Sequence, residues 1–427
     1  MSAPRSFLGR LMGSIGDGIL RPPARRRAGR LARLARTLIS ERGEATGASL
    51  ARRAVGLYSR LDEAGRIEFF GLLARDFSPD PAAVLAAANA YHADPGAAHL
   101  AQLQRLVEPP RQEVFRRMNM APGGTAALVQ LRRSLLDAIG THPELEAVDH
   151  DLTHLLSSWF NRGFLQLRRI DWGTPASILE KLIAYEAVHE IRGFPDLKRR
   201  LERDRRCFAF FHPALPDDPL IFVEVAFVDE LPSQVEPILA QESVVGDARR
   251  ARCAVFYSIT SCQAGLKGIS FGNFLIKQVA ADLHAELPNL KIFATLSPVP
   301  GLRRWAEKRL GAALPHDPAK LEALAAWYLT REWREGHALD PVARFHLGNG
   351  ARLERVNRAA DSSSKGAAQS FGMMVNYVYD LGDVERNHEE YVNRHHAVCS
   401  SAVEKAARAA EPLLQPAATS PPTETAG

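Results

Sequence analysis

An N-terminal all-helical bundle followed by an α/β domain is the fold class this sequence predicts. Apolar residues recur at helix-like intervals through the first third of the chain. After Trp172 the pattern switches to runs rich in β-branched and aromatic residues, and these alternate with further helical stretches. A 3.6-residue period marks a helix with one buried face, and strands interleaved with helices mark a sheet covered by helices. At 427 residues the chain also exceeds what one core usually holds, so two domains are expected.

In the first region Val55, Leu57 and Leu61, then Ile67, Leu72 and Leu73, keep helical spacing. Leu128, Leu131, Leu135, Leu136 and Ile139 form the clearest stripe, which one helix face would bury. Breakers stand where helices should stop: Pro79-Asp80-Pro81, Asp94-Pro95-Gly96, Pro109-Pro110 and Pro122-Gly123-Gly124. Ser78 and Asp80 are suited to cap the alanine-rich stretch that follows. Residues 1–162 are expected to form the bundle, and nothing in them looks catalytic.

The second region, 163–410, opens with a helix near Ser177 to Val188. Cys207 to Phe211 and Leu220 to Val228 read as strands separated by the Pro213 to Asp218 turn. Ala254 to Thr260 and Lys291 to Leu296 are two more. Between those lies a helix from about Phe271 to Leu287, with Phe271, Phe274, Leu275, Val279, Leu283 and Leu287 on one side. From Glu411 to Gly427 the chain is polar and proline-rich, the composition of a disordered tail.

Hydrophobic residues at 46% and charged residues at 24% match an ordinary soluble globular protein. The four cysteines form no CxxC pair and have no histidine at zinc-ligand spacing, so they read as reduced thiols. No HExxH and no compact His/Asp cluster is present, so no metal is expected. No apolar run approaches the ~20 residues of a membrane span, and no secretory h-region stands near the start. Twelve arginines and three acids precede Val55. A transit peptide, a nucleic-acid arm and a solvated helical surface all fit that excess; the solvated surface is favoured, because charge runs usually lie on surfaces.

The stretch from Cys262 to Gly272 carries the chemistry. It follows a strand, opens a helix and holds Gly265, Gly268 and Gly272. Glycines let backbone approach a ligand, and free N–H groups at a helix start attract phosphate oxygens. It is neither a Walker A loop nor a Rossmann fingerprint. A turn that merely packs a helix on a sheet fits the same glycines. Ser258, Thr260 and Ser261 upstream lie in no nucleophile elbow, which disfavours hydrolase chemistry. Further on, Leu296-Ser297-Pro298-Val299-Pro300-Gly301 ends a strand in a stiff turn, placing Ser297 at the edge where ligands gather in open sheets. Arg344 to Gly350 sets His346 in a short loop between apolar residues; a hydrogen-bonded structural histidine fits there too.

Taken together, Phe256-Tyr257-Ser258-Ile259, Gln263 to Gly268, Phe274 to Lys277, Leu296 to Gly301, Pro341 to His346 and Met374 to Tyr377 resemble the malonyl-CoA decarboxylase family. Tyr185 to His189 and Lys198 to Arg200 extend the likeness towards the helical half. The resemblance implies a helical oligomerisation domain, giving a dimer or tetramer, followed by a catalytic domain of GNAT acetyltransferase fold. It implies that malonyl-CoA is the substrate and that no cofactor is needed. Ser297 and His346 fall on the family's catalytic pair and Tyr379 on its active-site tyrosine, with Asn376 and Tyr377 close by in sequence. Its CoA loop falls on Lys267, Gly268, Ile269, Ser270, Phe271, Gly272 and Asn273, with Gln263 and Gly265 just ahead. Animal members carry a glutamate where this chain has Ser270, so any role of that carboxylate is absent or supplied elsewhere. Neither a nucleic acid nor a membrane partner is expected. Bacterial cytoplasm is the expected compartment, with the mitochondrial matrix as alternative. The rival readings are a CoA-dependent N-acyltransferase of the same fold and a non-catalytic CoA-sensing or nucleic-acid-associated module.

Overall fold

Helix Ala24–Ser40 separates arginine from leucine: Arg26, Arg30, Arg33 and Arg36 are exposed, while Leu31, Leu34 and Leu38 are buried. The computed structural model describes residues 24–41, 43–269, 271 and 275–415. These fall into two compact units. One comprises residues within Met1–Leu165 together with His212–Pro216 and Gln263–Phe271; the other comprises Gln166–Phe211, Asp217–Cys262 and the remainder from Gly272. For the described arginines, a solvated helix face is what the fold provides.

The first unit is built from helices Ala24–Ser40, Glu44–Tyr58, Glu63–Asp76, Pro81–Ala93, Ala97–Val107, Pro110–Asn119, Gly124–Ile139 and Glu146–Trp159. Phe69, Phe70, Leu73, Phe115, Leu128, Leu135 and Leu152 are fully buried in its core. Leu128, Leu131 and Leu135 point inward as the stripe requires, whereas Leu136 and Ile139 are half-buried. Asp80 caps the alanine-rich helix by accepting the Ala82 N–H at 3.0 Å. Ser78 does not: its hydroxyl donates to the Ala74 carbonyl, closing the preceding helix instead. A buried ion pair, Arg111 with Asp151, and a partly buried one, Arg132 with Asp149, tie the later helices together.

In the second unit β1 (Gln166–Ile170), β2 (Arg205–Phe211), β3 (Ile221–Val228) and β4 (Cys253–Ser261) run antiparallel, each paired with the next. β5 (Ile292–Thr295) pairs with β4 in parallel across helix Leu275–Glu286, the right place for a βαβ step. β6 (Ser297–Pro298) follows at once. β7 (Trp333–Arg334) and β8 (His337–Ala338) form a separate hairpin, while β9 (Arg352–Asn357) and β10 (Met374–Val378) complete the main sheet. Its order is β1-β2-β3-β4-β5-β10-β6, with β9 also on β10. An antiparallel meander entering one parallel step, flanked by helices, realises the expected α/β domain after the helical bundle. Two details differ. Phe271 is not helical, the described helix beginning at Leu275, and Phe274 lies outside the described residues. Glu411–Leu414 forms a helical turn rather than a structureless start to the tail, because Leu413 and Leu414 pack on a cluster with Leu324. Residues 416–427 of the expected tail lie outside the described residues.

Candidate active site

β4 and β5 are paired from Cys253/Ile292 to Phe256/Thr295. The last cross-link between the two segments is the Leu296 N–H to the Phe256 carbonyl. Beyond it the strands part: β4 continues to Ser261 on β3 alone, while Ser297 and Pro298 pair with Val375 and Met374 of β10. On β4 the register slips by one residue, Glu224 facing Ser258 and Val225 facing Phe256, which leaves Tyr257 as the extra residue of a bulge.

A cavity of about 250 Å³ opens where the strands part, lined by Phe256, Ile259 and Ser261 of β4, Ser297 and Pro298 of β6, and Val342, Phe345 and His346. Those last residues ride on helix Pro341–Gly348, not on the loop expected from sequence. Asp340 starts that helix by accepting the Val342 and Ala343 N–H groups at 2.9 and 3.0 Å, and Pro341 takes the first position, where its missing N–H costs nothing. The same carboxylate accepts the Gly301 N–H at 3.4 Å, joining the end of the Ser297 segment to the start of the His346 helix.

His346 is fully enclosed at its back. Nε2 lies 3.0 Å from Ser297 Oγ and Nδ1 lies 2.8 Å from the Tyr379 hydroxyl. Tyr377 stacks on the ring at 4.6 Å between centroids, and Phe345 meets it edge-on. Burial lowers the His346 imidazole to about 3, so it is neutral near pH 7, and burial raises the Tyr379 phenol well above its ordinary value, so it keeps its proton. A neutral imidazole has one donor and one acceptor nitrogen. The Tyr379 hydroxyl partners Nδ1, donating or accepting according to the tautomer. The Ser297 hydroxyl donates to Thr295 Oγ1 at 2.9 Å, which turns a lone pair of Ser297 towards Nε2.

Ser297, His346 and Tyr379, placed far apart in the chain, are thus in one hydrogen-bonded row, with Tyr377 beside it. Asn376 is not in the row. Its side chain donates to the Thr295 and Pro232 carbonyls and accepts from Asn357, which fixes the strands behind the site. The glycine segment belongs to the helical unit. Gln263, Gly265, Ile269 and Phe271 are buried there, while Lys267 and Gly268 are exposed. Arg132 donates to the Gly265 and Lys267 carbonyls at 2.9 and 2.8 Å. A Cβ at Gly265 would lie 1.9 Å from the Val129 carbonyl oxygen, so close packing already demands glycine there; Gly268, at φ +79°, is a turn glycine. Ser270, Gly272 and Asn273 lie outside the described residues.

Another buried polar cluster lies in the sheet unit. Glu186 accepts from the Ser258 hydroxyl at 2.8 and 2.9 Å, from Thr260, and from the Val188 and His189 N–H groups. Arg200 donates to Glu224 at 2.7 Å and to the His189 carbonyl at 2.8 Å. Thr295, Asp340 and Glu224 were not anticipated. A threonine two residues before Ser297 on a strand, an Asp-Pro step, and a lone acid in the apolar run IFVEVAFV were the available signals. Among the described residues no group of His, Cys, Asp and Glu is arranged to hold a metal ion, and no helix is long and apolar enough to cross a membrane.

Sheet and cavity together set a buried row of polar side chains against an apolar cavity in a mixed α and β fold. The family description "Malonyl-CoA decarboxylase C-terminal domain" matches residues 163–317 and 318–416, and "Malonyl-CoA decarboxylase N-terminal domain" matches residues 77–160. The mitochondrial malonyl-CoA decarboxylase of Anser anser anser is 35% identical over 410 residues, covering 81% of this chain and 81% of that protein. The crystal structure of malonyl-CoA decarboxylase from Rhodopseudomonas palustris matches with TM-score 0.84 and 48% identity, over 88% of this chain and 99% of that one. Its counterpart from Agrobacterium vitis gives 0.82 and 46% over the same shares. This chain belongs to the malonyl-CoA decarboxylase family and is a carboxy-lyase.

Proposed function

We propose that the cavity binds the thioester end of malonyl-CoA and releases CO2, leaving acetyl-CoA, with His346 as the proton donor. The observation that carries this reading is an imidazole whose Nε2 faces an apolar cavity through Ser297 while Nδ1 is held by Tyr379. The bond between the carboxylate carbon and the α-carbon breaks, and its electrons move onto the α-carbon and the thioester oxygen as an enolate. One proton then has to reach carbon, so the whole reaction takes up one proton from solvent.

Burial keeps His346 neutral near pH 7. An arriving malonyl carboxylate favours the charged ring, so substrate and proton enter together. The imidazolium gives its proton to the enolate carbon and returns to neutral. Ser297 turns its hydroxyl to the carboxylate or passes the proton along. Phe256, Ile259, Val342 and Phe345 offer a carboxylate no hydration, which favours departure as neutral CO2. The thioester carbonyl receives the electrons itself, so the scheme uses no metal, biotin or pyridoxal. Backbone N–H groups of the segment from Gln263 to Asn273, with the exposed Lys267, are assigned to the CoA pyrophosphate.

The helical unit is assigned to self-association. Helices Pro81–Ala93 and Ala97–Val107 bury Ala87 and nothing else, while Leu85 stands 63% exposed. Bacterial cytoplasm is the compartment we favour, supported by the higher identity to the two bacterial proteins than to the mitochondrial one.

The test is malonyl-CoA alone, with no acceptor amine, followed for acetyl-CoA and CO2. The parent should turn over and His346→Ala should lose about 10²–10⁴-fold, the usual span for a general acid. Ser297→Ala should be impaired in the same assay. Product that forms only when an amine is added would replace decarboxylation by acyl transfer. Turnover of His346→Ala within a few-fold of the parent would remove the histidine from the mechanism.

A further inference from the structure

The row that runs from Tyr379 through His346 to Ser297 does not end at the serine. Thr295 is wholly buried two residues earlier, and alternation along the strand segment puts both side chains on one face. Its Oγ1 lies 2.9 Å from Ser297 Oγ and also accepts the Tyr377 N–H at 3.2 Å. The Thr295 carbonyl is pinned in turn by the Asn376 side chain at 2.9 Å.

A serine hydroxyl has one proton, and its direction decides what the imidazole must do. When that proton points at Thr295, Ser297 shows His346 a lone pair, and the ring must place its own proton on Nε2. When the proton points at His346, Nε2 becomes an acceptor and the ring proton moves to Nδ1, where Tyr379 has to accept it. Ser297 and His346 line the cavity and Tyr379 does not, so the two tautomers place the ring proton on opposite sides of the imidazole from the substrate's standpoint.

We propose that Thr295 is a positioning residue that fixes His346 as the Nε2-protonated tautomer by accepting the Ser297 proton. The proposal rests on the decarboxylase reading for its effect on turnover, but its structural half is separable. Thr295→Val keeps the shape and removes the hydroxyl, and Thr295→Ser keeps the hydroxyl. Ring ¹⁵N resonances of His346 in the substrate-free protein, identified by their absence from His346→Gln, report the tautomer directly. Parent and Thr295→Ser should show Nε2–H, and Thr295→Val should move towards Nδ1–H. In turnover, Thr295→Val should lose at least about tenfold in kcat with KM within about twofold, while Thr295→Ser stays within about threefold of the parent.

An unchanged tautomer in a folded Thr295→Val overturns the proposal. So does Thr295→Ser being as impaired as Thr295→Val, which would make the residue a packing group. A parent that fails to decarboxylate malonyl-CoA overturns the functional reading alone, since the tautomer signals need no substrate.

Discussion

Two of the buried polar clusters in the sheet unit are satisfied in opposite ways. The row of Tyr379, His346, Ser297 and Thr295 is uncharged, has one hydrogen bond per link and borders a cavity. The cluster of Glu186, Glu224 and Arg200 is built on charge, and Glu186 gathers four donor groups. Burial pushes the Glu224 carboxyl up to about 8 even with Arg200 beside it, helped by the nearby Glu186. Singly linked neutral groups can exchange a partner for substrate at small cost, whereas a buried ion pair cannot lose a member cheaply. The first arrangement suits turnover and the second suits holding β3 and β4 in register.

Removing Arg200 should expose that contrast most strongly. Arg200→Leu leaves Glu224 without its partner and should cost about 3–5 kcal/mol in urea unfolding above about pH 8, where that carboxyl is charged, with much of the loss recovered in the Arg200→Leu/Glu224→Gln double variant. A parent-like midpoint for the single variant would show that the cluster is not a structural ion pair. Tyr379→Phe should do the reverse, slowing decarboxylation about tenfold while lowering stability by only about 1 kcal/mol. If it unfolds far earlier and turns over normally, the neutral row is the structural one.

The smallest effect lies in the pH dependence of stability. Burial lowers His346 to about 3, and burial with Arg200 nearby lowers His189 to about 4. Both imidazoles gain a proton on unfolding between those values and about 6.5, so stability should rise with pH across that window. His189→Asn should reduce the slope between about pH 4 and 6.5 by up to about one proton, read from unfolding midpoints. An unchanged slope would mean that His189 is already charged in the fold. Glu224 has the opposite sign: its contribution is complete below about 4.5 and fades as pH rises through about 8.

Element type was legible wherever a single face dictated the pattern, as with Leu128, Leu131 and Leu135 or the strand around Phe256. Ser297 and His346 stood out through a proline-stiffened turn and an isolated histidine, and the family resemblance joined them to Tyr379. Three things could not be read from spacing. His346 rides on a helix and not in a loop, because Asp340 and Pro341 start one. Gly265 looked as though a ligand required it, when the Val129 carbonyl already does. Thr295 became meaningful only once strand alternation put it beside Ser297. Only for Gly265 does the deciding partner, Val129, lie far along the chain; the Asp340-Pro341 step and the Thr295–Ser297 alternation are local signals that gain meaning once the segments they join are in place.

Asp340 gives the site one more property. Because a single carboxylate holds both the Gly301 amide and the first turn of the His346 helix, neither the serine segment nor the histidine helix has an independent anchor at that point. The serine segment and the histidine helix are riveted together there, so a disturbance at Asp340 reaches segments 295–301 and 340–346 at once.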